Sequence, residues 1–351
     1  MTRVPAIEPL PYAPKSIASL LGNAWEETLR SAHRWMRLGR ALDGRMQGLQ
    51  RQGRVGFYGA ATGQEAVNVG AGLATGPEDW IFPGLREQLV ALVRGHPLPV
   101  YVHHLFADDQ DPGRGRNMPC HPSAREVHYV SMSSVIGTQI SQAVGLAYAL
   151  RAKGSSGVSL AFFGDGATSS NDFHAGLNFG AVLSLPVVFC CTNNQWAISV
   201  PTSRQTAAAS FAAKAEAYGF SGRRVDGTDF VAVYAELARA LRETRAGHGP
   251  TLLEFVTYRS TPHSSSDDPS RYQPGDWASR AAAHDPVARL EAWMRDQGLL
   301  TPESLAEVVA GAEERVRQAV EAAEGTPPPS PASLTEDVYA SPVSGARTAA
   351  H

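Results

Sequence analysis

The sequence predicts an α/β fold in which a parallel sheet carries helices on both faces. In the central part of the chain, segments with strand character alternate with segments of helix character: strand 158–163, helix 173–184, strand 186–192 and helix 211–218. Parallel strands need a long crossover connection, usually a helix, so this alternation favours a parallel sheet. Further strands are predicted at 222–225 and 251–257, with a helix at 230–245 between them.

Length and composition favour one large domain with two tails. The chain has 351 residues, 43% of them hydrophobic, which is enough for a sizeable core. Strand and helix signals continue without an obvious linker over residues 19–323, so we assign this span to one α/β domain. Residues 1–18 form the predicted N-terminal arm, and residues 324–351 form the predicted Pro-rich linker and C-terminal tail.

Helices are also predicted towards both ends of the domain. Apolar residues recur at helical spacing from Leu20 to Leu49, and Gly53 offers a stop for this helix. Glycine and alanine are interleaved within 63–75, which permits another helix or strand to approach closely. Two closing helices are predicted at 287–296 and 304–323. The polar segment 259–277 before them is a candidate lid, because loops of that length are usually functional or disordered.

Charge and cysteine usage exclude several classes of protein. The 31 basic and 34 acidic side chains give a formal net charge of −3 without a dense basic run, so a nucleic-acid partner is not expected. Cys120, Cys190 and Cys191 lack the spacing of a metal site or a disulfide framework, which indicates a reducing compartment. Early prolines and Glu8 interrupt the apolar core of a secretory signal, and no apolar run approaches a membrane span. We therefore expect a cytoplasmic protein without membrane contact.

Polar residues follow two successive strands of the predicted sheet. Gly164-Asp165-Gly166 ends the first strand, and Asn193-Asn194 ends the next. The carboxyl ends of parallel strands face one crevice, where α/β proteins bind ligands. Magnesium prefers oxygen ligands, takes few of them from protein, and completes its octahedron with phosphate and water. We therefore predict that the side chains of Asp165 and Asn194 and a backbone carbonyl near Trp196 hold magnesium.

The glycines on either side of Asp165 let the backbone turn sharply and let a phosphate approach its N–H groups. The alternative is that both motifs are ordinary turns, since turn chemistry favours these residue types in many proteins. Their combination across one strand-helix-strand unit favours the metal site over the turns.

Several motifs resemble one family. A GDG followed about thirty residues later by NN is the thiamin diphosphate signature. Three further segments, GRGRNMPCH at 113–121, SMSSVIGTQISQAVGLAYA at 131–149 and TYRSTPHSSSDDPSRYQ at 257–273, look like the alpha subunits of heterotetrameric 2-oxo acid dehydrogenases. The resemblance covers residues 56–340 and is strongest for the branched-chain class.

This resemblance implies a thiamin-diphosphate-binding fold and an activity. The expected reaction is oxidative decarboxylation of branched-chain 2-oxo acids such as 2-oxoisovalerate, with transfer of the acyl group to a lipoyl group of the acyltransferase component. The implied cofactors are thiamin diphosphate and Mg²⁺, and branched-chain relatives also hold K⁺. We cannot identify in this sequence the carboxylate that activates the aminopyrimidine ring, and in the resembling family it comes from a beta subunit. An alpha2-beta2 assembly is therefore expected.

The resemblance also assigns roles to individual residues. Arg86 would contact the diphosphate, and His263 would be the catalytic histidine beside the cofactor. The remaining candidates, grouped by the ligand they would contact, are Gly164, Gly166 and Ala167 for the diphosphate, Ser134 and the backbone of Ile136 for the aminopyrimidine, and Ser133, Thr138 and Gln139 for potassium. The alternative for Ser133 and Ser134 is that they cap a helix beginning near Thr138.

Some positions depart from the family pattern. Leu85 stands where relatives have an aromatic residue, and Thr192 where some have a basic residue or glutamine. Pro262 replaces a second histidine of many branched-chain relatives and matches pyruvate-type relatives, so a pyruvate or acetoin dehydrogenase alpha subunit is the alternative. A non-catalytic subunit that keeps the fold is another. Ser264 occupies the position that is phosphorylated in animal relatives. We also expect Arg259 and Asp267, which flank His263, to form a weak exposed pair.

Overall fold

The structure, a computed structural model, describes residues 14–264, 266–336 and 340, with side chains from residue 17 onward. Most of the predicted arm and part of the predicted tail therefore lie outside the described residues. The seven strands of the described part are β1 (Trp80–Phe82), β2 (Ser159–Gly164), β3 (Val187–Asn193), β4 (Trp196–Ala197), β5 (Val200–Pro201), β6 (Gly222–Asp226) and β7 (Thr251–Val256).

The α-helices of the same residues are α1 (Pro14–Leu21), α2 (Trp25–Arg51), α3 (Glu65–Ala74), α4 (Gln88–Val93), α5 (Leu98–Phe106), α6 (Thr138–Ala152), α7 (Asn171–Val182), α8 (Phe230–Arg245), α9 (Trp277–Ala283), α10 (Pro286–Asp296) and α11 (Pro302–Glu324). Short 3-10 turns, including Asp165–Ser169 and Ala212–Tyr218, connect several of them. No described helix combines the length and apolar character needed to cross a lipid bilayer.

Five strands form one sheet in the order β1-β2-β3-β7-β6, and every neighbouring pair is parallel. β4 and β5 form a separate antiparallel pair. Gly164 at the end of β2 lies opposite Thr192 of β3, and Asn193 lies opposite Val256 of β7. The predicted parallel α/β fold is confirmed, and the carboxyl ends of β2 and β3 lie side by side.

Side chains of the central strands alternate between the two faces of the sheet, as the strand pleat requires. On β2, Leu160 and Phe162 pack with α3, α4 and α8, whereas Ala161 and Phe163 pack with α6 and α7. The prediction of helices on both faces is therefore confirmed. A further layer of helices, which includes α2, α5, α10 and α11, covers the outer side of α3, α4 and α8.

Several predicted elements need correction. The single helix from Leu20 to Leu49 is wrong at its start, because Gly22 adopts a φ of +82° and separates α1 from α2. The helix expected at 211–218 is a 3-10 helix. Close approach at 63–75 is confirmed within this chain, since a Cβ at Gly70 would lie 2.7 Å from Val233 of α8. The boundaries proposed for the arm and the tail stay predictions.

The outer layer is fixed to the domain by buried charges as well as by apolar packing. Glu291 of α10 is only 3% exposed, and it accepts hydrogen bonds from His33 and Arg37 of α2 at 2.8 and 2.5 Å. Burial alone would raise the pKa of Glu291, but these hydrogen bonds outweigh burial and lower it to about 2. The ionised carboxylate therefore stabilises the contact between the two helices.

We expect Glu291→Gln to lower the free energy of unfolding at neutral pH by about 3 kcal/mol, because the change leaves Arg37 and His33 without their buried anion. The contribution of a carboxyl group with a lowered pKa is present above its ordinary value of 4.5 and is lost as pH falls towards 2. Urea denaturation of both proteins should therefore show a difference at pH 7 that shrinks at pH 3. Glu314→Gln, which removes an exposed pair with Arg317, is the control. An equal effect of both changes would contradict the assignment.

Candidate active site

A cavity of about 480 Å³ opens at the carboxyl ends of β2 and β3. The predicted site residues that line it are Arg86, Ser133, Ser134, Ile136, Gln139, Gly164, Asp165, Gly166, Ala167, Asn194, Trp196 and His263. Thr138, the remaining candidate, begins α6 next to Gln139 and is not part of the wall. The sheet topology thus gathers residues that are up to 177 positions apart in the chain.

Asp165 follows the last residue of β2 and is 2% exposed. Its carboxylate accepts a hydrogen bond from Gln205 Nε2 at 2.5 Å, but it forms no ion pair with any described residue. Burial is the largest cause that raises the pKa of Asp165, to about 6. The charge of Arg259 offsets the effect of burial only in part. A buried carboxylate without an ion-pair partner is costly, and a bound cation would reduce that cost.

The turn after β3 brings Asn194 to the same cavity. Gln195 adopts a φ of +74°, unusual for a residue with a side chain, and Asn194 Oδ1 accepts a hydrogen bond from the Trp196 N–H at 3.3 Å. The Trp196 carbonyl accepts one from Arg259 Nη1 at 3.1 Å. No group of three or more His, Cys, Asp or Glu residues is placed to hold a metal in the described part of the chain. The donor set of one carboxylate, one amide and one carbonyl is typical of magnesium, which takes its remaining ligands from phosphate and water.

The two glycines beside Asp165 play different roles. A Cβ at Gly166 would lie 2.8 Å from the Cβ of Ala197, so the close contact between the turn and β4 requires glycine. A Cβ at Gly164 would meet nothing within 4 Å, and this position leaves open space in the cavity wall. The Thr192 hydroxyl, also in the wall, is buried without a hydrogen-bond partner.

Arg86 contributes a buried positive charge to the cavity. Its guanidinium donates to the Ala60 carbonyl through Nη1 and to the His263 carbonyl through Nη2 at 2.7 Å. No carboxylate within the described ranges forms an ion pair with it. Burial, followed by the charge of Arg259, lowers the pKa of Arg86 to about 10. The departure at Leu85 is explained locally, since its side chain occupies the space that a Cβ at Gly59 would approach to 3.1 Å.

His263 lies at the cavity on the segment between β7 and α9. Its backbone N–H donates to Asp267 Oδ2 at 2.7 Å, which fixes the backbone beside the imidazole. Burial, together with the charges of Arg86 and Arg259, lowers the pKa of His263 to about 4. The imidazole is therefore neutral at physiological pH and can donate one hydrogen bond and accept another.

The prediction that Arg259 and Asp267 form an exposed pair is wrong, because Arg259 is buried. Arg259 is 1% exposed, and its nearest approach to Asp267 is 4.0 Å. It donates instead to the carbonyls of Trp196 and Ile198 and, at 2.6 Å, to the Tyr272 hydroxyl. Arg259 therefore joins the segment that carries His263 to the turn that carries Asn194.

The capping alternative for Ser133 and Ser134 is also wrong. Gly137 is the N-cap residue of α6, and no side chain caps this helix. Ser133 Oγ accepts from the Val135 N–H at 3.2 Å, and Ser134 Oγ bonds to His121 Nε2. Gln139 donates through Nε2 to the Phe162 carbonyl at 2.9 Å, which leaves its buried Oε1 without a partner.

Sequence reasoning missed nine residues of the cavity wall, which are Phe57, Gln64, Gly84, Glu87, Met118, His121, Met132, Ala197 and Ile198. Met118 and His121 belong to the segment 113–121, so a signal for them was present in the sequence. Gln64 and Glu87 carry no such signal, because only the fold shows that they are buried beside the cavity. The amide nitrogen of Gln64 has no hydrogen-bond partner there.

Comparison with known proteins identifies relatives of the whole domain. Residues 33–332 match the family model described as "Dehydrogenase E1 component". The 3-methyl-2-oxobutanoate dehydrogenase subunit alpha of Mycobacterium tuberculosis is 46% identical over 274 residues, which cover 78% of this chain and 72% of that protein. The mitochondrial 2-oxoisovalerate dehydrogenase subunit alpha of Homo sapiens is 38% identical over 90% of this chain and 71% of that protein. The mitochondrial 2-oxoisovalerate dehydrogenase subunit alpha 2 of Arabidopsis thaliana is 38% identical over 85% of this chain and 63% of that protein.

The match to the family model extends over most of the chain and includes every residue of the cavity wall. This protein therefore belongs to the dehydrogenase E1 component family.

Proposed function

We propose that this chain is the alpha subunit of the decarboxylating component of a branched-chain 2-oxo acid dehydrogenase complex. In this role it anchors the diphosphate of thiamin diphosphate through Mg²⁺ held by Asp165, Asn194 and the Trp196 carbonyl. The observation that carries the proposal is the buried carboxylate of Asp165, which has no ion pair in the described structure and shares a cavity with Asn194, Arg86 and His263.

The two charges of the cavity suit a metal diphosphate. Within the described residues, Asp165 forms no ion pair with a cation and Arg86 forms none with a carboxylate, although Arg259 lies near the former and Asp43 and Glu87 near the latter. A ligand that brings both Mg²⁺ and phosphate oxygens would give each of them a direct partner. The free hydroxyl of Thr192 and the space at Gly164 provide a further donor and room for the phosphate. Arg86 keeps two N–H donors for this purpose after its bonds to the Ala60 carbonyl, to the His263 carbonyl and, at 3.4 Å, to His263 Nδ1.

Bound thiamin diphosphate supplies the electron sink for decarboxylation. His263 holds a neutral imidazole at the cavity, where it can donate a proton to a developing oxygen anion or accept one. The bonds of its backbone N–H to Asp267 and of its carbonyl to Arg86 fix the backbone that carries the ring, and Arg86 Nη2 lies 3.4 Å from the ring atom Nδ1. Ser133 and Gln139 are the potassium ligands of this proposal, supported by the unpartnered Oε1 of Gln139. Thr138 stays a weaker candidate because it is not part of the wall.

A partner subunit is part of the proposal, since the mouth of the cavity is apolar and open. Met118, Ile136 and Ile198 line the cavity and are 54%, 62% and 55% exposed, and neighbouring Val135 is 66% exposed. Exposed apolar residues that cluster around a site are typical of a surface covered by another chain. A beta subunit seated there would enclose the cofactor and supply the activating carboxylate, and the lipoyl domain of the acyltransferase component would reach the cavity from the remaining side.

Branched-chain 2-oxo acids are the proposed substrates because the relatives from Mycobacterium, human and Arabidopsis carry that activity in their names. The apolar residues Phe57 and Met118 in the wall suit an aliphatic side chain. Pro262 matches pyruvate-type relatives, so turnover of 2-oxoisovalerate against pyruvate decides between the two substrate classes.

Asp165→Asn should weaken Mg²⁺-dependent binding of thiamin diphosphate by at least about 100-fold, because the cation loses its one charged protein ligand. The measurement is calorimetric titration with the cofactor in the presence and absence of Mg²⁺. Asp109→Asn removes an exposed carboxylate outside the cavity and should leave the affinity unchanged. Undiminished binding to the first variant would refute the metal assignment.

His263→Ala should retain the cofactor with nearly the wild-type affinity but reduce kcat by at least about 100-fold, since general acid-base groups contribute factors of this size. Turnover and cofactor titration on the same preparation separate the two effects. His174→Ala, an exposed histidine of α7, is the matched control. A loss of affinity that is as large as the loss of turnover would show that His263 acts mainly in binding.

The chain purified without a beta subunit should show no 2-oxo acid decarboxylation, and turnover should appear when the beta subunit is added. The assembled protein should prefer 2-oxoisovalerate to pyruvate in kcat/KM. Full activity of the isolated chain would mean that Glu87, the other acidic residue in the wall, supplies the activating carboxylate. A preference for pyruvate would favour the pyruvate-type alternative.

A further inference from the structure

Glu254 is a carboxylate in the middle of the buried strand β7. It is 1% exposed, and the rest of that strand is apolar apart from Thr251. Burying a charge in the interior of a sheet is costly unless several donors satisfy it, so a charged residue here requires a structural reason. Glu254 does not line the cavity, and it is not among the proposed ligands of the metal or the cofactor.

The strand register places Glu254 beneath the candidate metal site. Phe163 of β2, Cys191 of β3 and Glu254 of β7 occupy one row across the sheet. Side chains two residues apart on a strand lie on the same face. Asn193 therefore lies on the same face as Cys191, two residues further along β3. Asp165 lies two residues beyond Phe163, just after the end of β2. Glu254 lies diagonal to Asn193, in the row below Asp165.

The hydrogen bonds of Glu254 lead to the turn that carries Asn194. Oε1 accepts from Asn193 Nδ2 at 2.7 Å, and Oε2 accepts from the Ala212 N–H at 2.9 Å. Asn193 Oδ1 in turn accepts from the Gln195 N–H at 3.0 Å. This chain of bonds fixes the Asn193 side chain and supports the left-handed conformation of Gln195, which aims Asn194 at the cavity.

The negative charge of Glu254 would also favour a cation at Asp165 and Asn194. The Glu254 carboxylate lies in the row of the sheet below Asp165, and Arg224 Nε lies 3.8 Å from its Oε1. Two anionic side chains thus lie near one end of the sheet. A cation bound by Asp165 and Asn194 would experience both of them, with the charge of Glu254 partly balanced by Arg224.

We propose that Glu254 is a positioning residue for the cation site, which fixes the Asn193–Gln195 turn and adds negative charge below the bound metal. The inference rests on the proposed function, because the metal and the diphosphate are taken from it. Residues that orient metal ligands without touching the metal typically change metal affinity by about 10- to 100-fold when they are replaced.

Glu254→Gln tests the proposal with little change in volume. The amide can accept from only one of the two donors that the carboxylate serves, and it carries no charge. In the assembled protein with its beta subunit, calorimetric titration should show Mg²⁺-dependent thiamin diphosphate binding that is about 10-fold weaker or more. Glu236→Gln, which removes the same charge from a partly buried pair with Arg223 away from the cavity, should leave the affinity unchanged.

Asn193→Ala is the second variant, and it keeps the charge of Glu254 while removing the hydrogen bond. It should also weaken binding, and the double variant should lose less than the product of the two single losses, because the residues act through one contact. If Glu254→Gln does not fold, Asn193→Ala with unchanged Mg²⁺-dependent affinity overturns the proposal.

A structural role alone would lower the melting temperature of Glu254→Gln and leave the affinity for Mg²⁺ and cofactor unchanged, and that result also overturns the inference. Wild-type protein that binds no thiamin diphosphate would instead overturn the proposed function, and the inference with it. The two failures are therefore distinguishable in one set of titrations.

Discussion

Two buried charges of opposite sign, on Asp165 and Arg86, face one cavity, and neither forms an ion pair with a described residue. Each of them costs free energy in the absence of a ligand, and ordinary packing would have paired or exposed them. The surrounding structure is arranged around this pair of charges. The parallel register of β2 and β3 fixes the position of the carboxylate, while the Ala60 and His263 carbonyls fix the guanidinium.

The parts of the fold that depend on local pattern were predictable from the sequence. β2 and β3 are continuous apolar runs followed by turn residues, and the crossover between them has helical periodicity, so both the parallel pairing and the common edge of Asp165 and Asn194 could be predicted. Elements without a distinct pattern were missed. β1 has three residues and α4 has six, too few to show a period.

Interactions between residues distant in sequence could not be predicted. Arg259 reads as a loop residue in a polar segment, and only the packing of Tyr272 and the β4 turn around it shows that it is buried. Glu254 stands in a strand with strong apolar character, and its donors come from β3 and from the 3-10 helix at Ala212. His121 reaches the cavity only because the segment before it folds back onto α5, where His104 Nε2 accepts its backbone N–H at 3.1 Å.

The attachment of Arg86 to two carbonyls restricts the direction from which an anion can bind to it. A guanidinium is a rigid plane, so rotating it to follow a displaced phosphate would break its bond to the Ala60 carbonyl, to the His263 carbonyl, or to both. A lysine in this position could swing its ammonium group over several ångströms without that loss. An anion that binds Arg86 would therefore have to approach in the plane that these two carbonyls already fix.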